Sequence, residues 1–158
     1  MKTRTLGATG YRVTEIGFGA WGIGGEMWRG VDDAEGRKAL REAVDQGITF
    51  FDTALAYGSG HSERVIGETL KDEIRRSSIV VATKIPPKNS EWPGKATYKL
   101  GDVFPAKYIA SCTNDSLKNL RMDALHVQQL HVWNDVWLSS PDWDASYKQI
   151  VRLKEEGK

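Results

Sequence analysis

The sequence predicts an α/β protein built on a parallel sheet, and two observations carry that prediction. Short apolar runs at 16–21, 48–51, 79–85 and 125–132 each precede a segment with helical spacing. Strands alternating with helices give a parallel sheet with right-handed crossovers. The strands are also apolar at successive positions, which predicts a sheet covered on both faces. Residues 1–158 read as one unit: a hairpin over 1–16, then four strand–helix units over 17–158.

The elements follow in order. Gly7 and Gly10 turn a weakly alternating hairpin. After the first strand, glycine-rich sequence runs to Gly30. Asp32 and Glu35 have capping-box spacing. Ala39, Leu40, Ala43 and Val44 then trace one helix face, and Gly47 is placed to stop the helix in the left-handed region. Ser62 predicts the N-cap of a second helix with Val65, Ile66, Thr69 and Leu70 inward. Pro105 predicts the first position of a third helix ending near Leu120. Ser140-Pro141 predicts the start of a fourth, ending near Gly157. Residues 86–104 have no clear period and contain Pro86, Pro87, Pro93, Gly94 and Gly101; a loop of that length in a compact domain is usually functional or mobile.

Composition excludes several classes. Twenty-two basic against 21 acidic residues give a net charge of +1, with 40% hydrophobic and 27% charged residues. That mix suits a globular chain and offers no basic stripe for nucleic acid or membrane. Cys112 is the single cysteine, so no internal disulfide forms. With no apolar signal region and no run near the roughly 18 residues of a membrane span, this predicts a cytoplasmic protein.

In parallel α/β folds the chemistry gathers at the carboxyl ends of the strands. The period of two puts Ile48, Phe50 and Asp52 on one face of strand two. It does the same for Val80, Ala82 and Lys84 in strand three, and for Leu125, Val127, Gln129 and His131 in strand four. Tyr57 follows on the loop above. Each residue alone has a structural reading: an ion pair, a core histidine, a turn. Together they suit reduction of a carbonyl. An ammonium beside a phenol stabilises the phenolate, so Lys84 makes Tyr57 a better proton donor. Asp52 places Lys84, and His131 orients the carbonyl oxygen. The group supplies no hydride, so a nicotinamide cofactor is expected.

Gly17-x-Gly19-x-x-Gly22 has the spacing of a dinucleotide loop, but no helix opens directly after it, and Glu42 falls inside a helix rather than at a strand end. His126 and His131 lie five apart on a strand and face opposite sides, and His61 falls in a loop. No metal site is expected.

Several segments resemble the aldo-keto reductase family. Gly17-Phe-Gly-Ala-Trp21 is similar to its first strand. Asp52-Thr-Ala-x-x-Tyr57-Gly58 with Ser62-Glu63-x-x-Ile66-Gly67-x-x-Leu70 resembles its first signature. Thr83-Lys84 and Asp123-x-Leu125-x-x-x-Gln129-Leu130-His131 resemble later strands. The resemblance implies a (β/α)8 TIM-type barrel and reversible NAD(P)H-dependent reduction of aldehydes or ketones. It implies catalytic roles for Asp52, Tyr57, Lys84 and His131. It implies NADP, with NAD the second option, beside Gly19, Ala20, Trp21 and Asp52. It implies a small carbonyl substrate against Trp21, Tyr57 and His131. The family usually has Thr or Ser where Ala20 stands. Segment 86–104 resembles a substrate-covering loop, which leaves Trp92 and Tyr98 as pocket walls or as solvent-exposed aromatics.

Such barrels typically take about 250 residues, and this sequence supplies a hairpin and four of eight units, a half barrel. Three readings stay open: an active reductase completed by further chain, a truncated inactive fragment, and a non-catalytic binding or regulatory subunit. Open strand edges predict self-association.

Overall fold

The computed structural model describes residues 1–25 and 32–158. The glycine-rich stretch expected up to Gly30 continues into 26–31, outside the described residues.

The hairpin pairs β1 (Thr3–Thr5) antiparallel with β2 (Arg12–Thr14). It closes the amino ends of the strands behind it. Thr14 and Thr49 exchange backbone-to-hydroxyl hydrogen bonds of 3.0 and 3.1 Å, and Tyr11 packs edge-on against His126. The main sheet has four strands: β3 (Phe18–Gly19), β4 (Phe50–Asp52), β5 (Val80–Ile85) and β6 (Val127–Leu130). They lie in chain order and pair in parallel.

The first helix, α1 (Asp33–Asp45), begins as predicted: the Glu35 amide donates to Asp32 Oδ1 at 2.8 Å. It ends on Gly47 at φ +82, with Gly47 N–H bonding Val44 O and Ile48 N–H bonding Ala43 O. This reciprocal pair satisfies the last carbonyls, and the left-handed residue it needs is glycine at no steric cost. α2 (His61–Thr69) differs from expectation at its start. Its N-cap is Gly60, in the left-handed region, and Ser62 lies inside the first turn, fully buried. His61 opens this helix rather than sitting in a loop. A short α3 (Lys71–Arg75) follows.

Segment 86–104 is not wholly irregular, since its end forms α4 (Leu100–Val103). Pro105 is the N-cap of α5 (Ala106–Leu120), one position before the place predicted. A 3-10 turn at Asp135–Ser139 precedes α6 (Trp143–Glu155), which starts two residues after Pro141. Among the described residues no helix is long and apolar enough to cross a membrane.

Of the two faces read as covered, the helices cover one. Right-handed crossovers between strands laid down in chain order put every helix on one side. Phe51, Val81 and Thr83 face that layer, and Phe51 and Val81 pack with Leu40, Val65, Ile66 and Leu120. The other face carries Asp52, Lys84 and Gln129. The apolar runs reflect a barrel wall, with helices outside and side chains of neighbouring strands inside.

Candidate active site

Three strand ends and one loop build the site. Asp52 closes β4, Lys84 is the penultimate residue of β5, and His131 follows β6, continuing its ladder with a 2.9 Å bond from its amide to Ile85 O. Lys84 Nζ donates to Asp52 Oδ2 and to the Thr53 carbonyl, each at 2.7 Å. Two of its three donors are thereby fixed. The ammonium lies over the Tyr57 ring, 5.2 Å from its centroid, within the range of a cation–π contact.

Tyr57 sits on a turn held from both sides. Its amide donates to Ala54 O, and its carbonyl accepts from the Ser62 amide. The turn presses on Gly24, where a Cβ would come within 2.9 Å of the Tyr57 carbonyl carbon. Gly58, at φ +61, faces the Gly24 carbonyl with no room for a side chain.

His131 packs edge-on against Tyr57, ring centroids 5.6 Å apart, and against Trp92 at 4.7 Å. Burial, with the nearby Lys84 charge, lowers its pKa to about 4. The imidazole is therefore neutral at ordinary pH, able to donate from one nitrogen and accept at the other. Its Nδ1 is buried with no partner among the described residues. Trp21, 46% exposed, stands 6.4 Å from Tyr57, ring centroid to ring centroid.

The residues singled out in the sequence thus divide. Asp52, Tyr57, Lys84, His131 and Trp21 come together. Gly19 is exposed, with nothing among the described residues within 4 Å of where a Cβ would be. Ala20 lies beneath, fully buried, its amide bonded to Asp52 O and its carbonyl accepting from Ser62 Oγ. Trp92 reaches the site, whereas Tyr98 turns away: its hydroxyl donates to Glu91 and its carbonyl accepts from the Trp137 indole. His126 lies at the far end of β6, where its Nδ1 accepts from the Val81 amide. In the Gly17–Gly22 motif, Gly22 belongs to a four-residue 3-10 turn, Trp21–Gly24, and α1 begins only at Asp33.

The sequence model of the Aldo/keto reductase family matches residues 15–158. The chain belongs to this family. It is 36% identical over 135 residues to the aldo-keto reductase YhdN of Bacillus subtilis, covering 85% of this chain and 39% of that protein. A holo-form aldo-keto reductase from Bacillus halodurans superposes with a TM-score of 0.75 at 29% identity, covering 99% of this chain and 47% of the other. An aldo-keto reductase from Klebsiella pneumoniae, solved in complex with NADPH, gives a TM-score of 0.70 at 25% identity over 100% of this chain and 48% of its own. The chain spans less than half the length of these relatives. The fold is that of the aldo/keto reductase TIM barrel, seen here as its first four parallel strands with their helices.

The Thr53 carbonyl that holds Lys84 was not visible as a site feature in this aldo/keto reductase sequence. Backbone acceptors leave no compositional signal. Ser62 and Glu63 were visible, but only as a helix start and a motif.

Proposed function

We propose that this chain carries the acid–base centre of a nicotinamide-dependent carbonyl oxidoreductase that reduces aldehydes or ketones, with NADP(H) as cofactor. The observation that carries the reading is the convergence of Asp52, Lys84, Tyr57 and His131 at one end of the sheet. The family match and the NADPH complex of the Klebsiella relative support it.

The donor set fits a nicotinamide at this end. The open face at Gly19, the exposed Trp21 ring and the Asp52 carboxylate would hold it, with Ala20 as the floor. When bound, the reduced nicotinamide supplies the hydride. Tyr57 then gives its hydroxyl proton to the carbonyl oxygen as negative charge develops there, a step typically worth 10²- to 10⁴-fold. The phenolate left behind is stabilised by the Lys84 ammonium over its ring. Asp52 and the Thr53 carbonyl fix that ammonium, so its charge is in place before the reaction begins. His131 bonds the substrate oxygen as a neutral imidazole. Trp21 and Trp92 flank the space where the substrate stands.

The test is titration of the 158-residue chain with NADPH, followed by a simple aldehyde. Quenching of tryptophan fluorescence at micromolar NADPH and loss of NADPH absorbance on adding aldehyde are the expected results. No binding up to millimolar NADPH overturns the reading for this chain.

A further inference from the structure

Four polar side chains behind the site are fully buried: Thr53, Ser62, Glu63 and Thr83. Buried polar groups persist where their hydrogen bonds are complete, and these form two short chains that start from adjacent residues of α2. Thr53 Oγ1 donates to Ser62 Oγ at 2.9 Å, and Ser62 Oγ donates to the Ala20 carbonyl at 2.9 Å. Thr83 Oγ1 donates to Glu63 Oε1 at 2.6 Å, and Asn119 Nδ2 of α5 donates to Glu63 Oε2 at 2.9 Å.

The residues so held are the chain neighbours of the site. Thr53 follows Asp52 and offers its carbonyl to Lys84. Thr83 precedes Lys84. Ala20 precedes Trp21. The turn that carries Tyr57 runs from Thr53 to Ser62, so both of its ends are tied into the first chain. Glu63 accepts from a hydroxyl and an amide rather than from a cation. Burying a carboxylate this way is costly unless its acceptors are filled, which argues for a role that a smaller apolar residue would not serve.

We infer that Ser62 and Glu63 are positioning residues, a buried brace on α2 that holds three strand ends in register so that Lys84, Tyr57 and His131 stay in contact. The inference rests on reading those residues as one site.

The experiment is histidine-ring NMR on the full chain, which needs no turnover. His131 titrates low because it is buried and faces Lys84, with Tyr57, Trp92 and Asp52 around it; both causes depend on the strand ends staying packed. In Ser62→Ala and in Thr83→Val, the His131 midpoint rises toward that of free histidine by about half a pH unit or more. His126, at the other end of β6, serves as the unmoved control. Glu63→Gln keeps the wild-type titration, because its amide oxygen accepts from Thr83 and the Asn119 amide turns to accept from its nitrogen. Amide dispersion reports folding, and if one variant fails to fold the other decides. A folded Ser62→Ala or Thr83→Val in which His131 titrates as in wild type overturns the brace. Brace variants that shift His131 while Tyr57→Phe keeps full turnover leave the brace standing and remove the catalytic reading. The reverse pattern removes the brace alone.

Discussion

Two cores lie behind the sheet, and they are built differently. The first joins α1 and α2 to β4 and the start of β5. It is almost wholly aliphatic, with Phe51 its one aromatic among the fully buried residues. Its outer rim is tied by ion pairs: Arg37 and Arg121 to Glu68, and Arg41 to Glu73. The second joins the end of β5 to α4, α5 and α6. Phe104 and Trp137 fill its centre, with Tyr98, Tyr108 and Trp143 packed around them. The first core holds Phe51, next to Asp52, and Ala20, next to Trp21, while Leu55 of the Tyr57 turn packs on the second. The second holds the loop of Trp92 and the end of β6 that carries His131. β5 belongs to both, giving Val81 to one and Ile85 to the other, and Lys84 sits next to that boundary. The site therefore lies on a seam, and its geometry depends on two packing systems with different weaknesses.

Cutting the chemistry at the seam itself has the largest expected effect. Tyr57→Phe removes the proton donor and lowers turnover by about 10²- to 10⁴-fold, while NADPH titration stays near wild type. Equal turnover in the variant would dissociate the two sides of the seam from the reaction altogether.

Weakening the second core comes next. Trp137 is 2% exposed, its indole donates to Tyr98 O at 2.9 Å, and its ring meets Phe104 and Trp133. Trp137→Ala is expected to cost about 3–5 kcal/mol. Hydrogen exchange should rise over residues 92–104 and at His131 before it rises at Asp52. Simultaneous loss of protection in both cores would show that they unfold as one.

The smallest effect tests the rim of the first core. The hydrogen bond from Arg37, aided by the Arg121 charge, holds the Glu68 carboxyl below the usual carboxylate range. A carboxyl lowered on folding adds stability above its unfolded pKa, and that stability is lost as pH falls through the folded value. Glu68 is on the surface, so the gain is under about 1 kcal/mol. Glu68→Gln should lower the melting temperature slightly at pH 7, and the difference should vanish at pH 3 and in high salt.

The seam explains what could be read in the sequence. Asp52, Lys84 and His131 converge by the strand period of two, and that period survives small errors in strand ends. β3 shrank to Phe18–Gly19 and β6 to Val127–Leu130, yet the faces were unchanged. The α1 boundaries were legible because Asp32 and Gly47 act through local backbone bonds. Ser62 misled because serine near a helix start is usually a cap; here Gly60 takes that place and the hydroxyl turns inward to Ala20. α4 and the reach of Trp92 depend on contacts with residues far along the chain, and no local pattern encodes those.

The contact of Gly24 with Gly58 has a consequence for engineering. A methyl group at Gly24 would meet the Tyr57 carbonyl carbon and the Gly58 nitrogen, and one at Gly58 would meet the Gly24 carbonyl oxygen and the His61 Cβ. The blocking backbone atoms are ones every residue carries, so changing one glycine does not free the other, and Gly58 is held further by its φ of +61. A library that diversifies the loop around Tyr57 has to leave both untouched. One that instead varies Gly22 or Gly25, where a Cβ would meet nothing within 4 Å among the described residues, leaves the glycines of the tyrosine turn in place, provided that Gly25 receives only residues tolerant of its φ of +80.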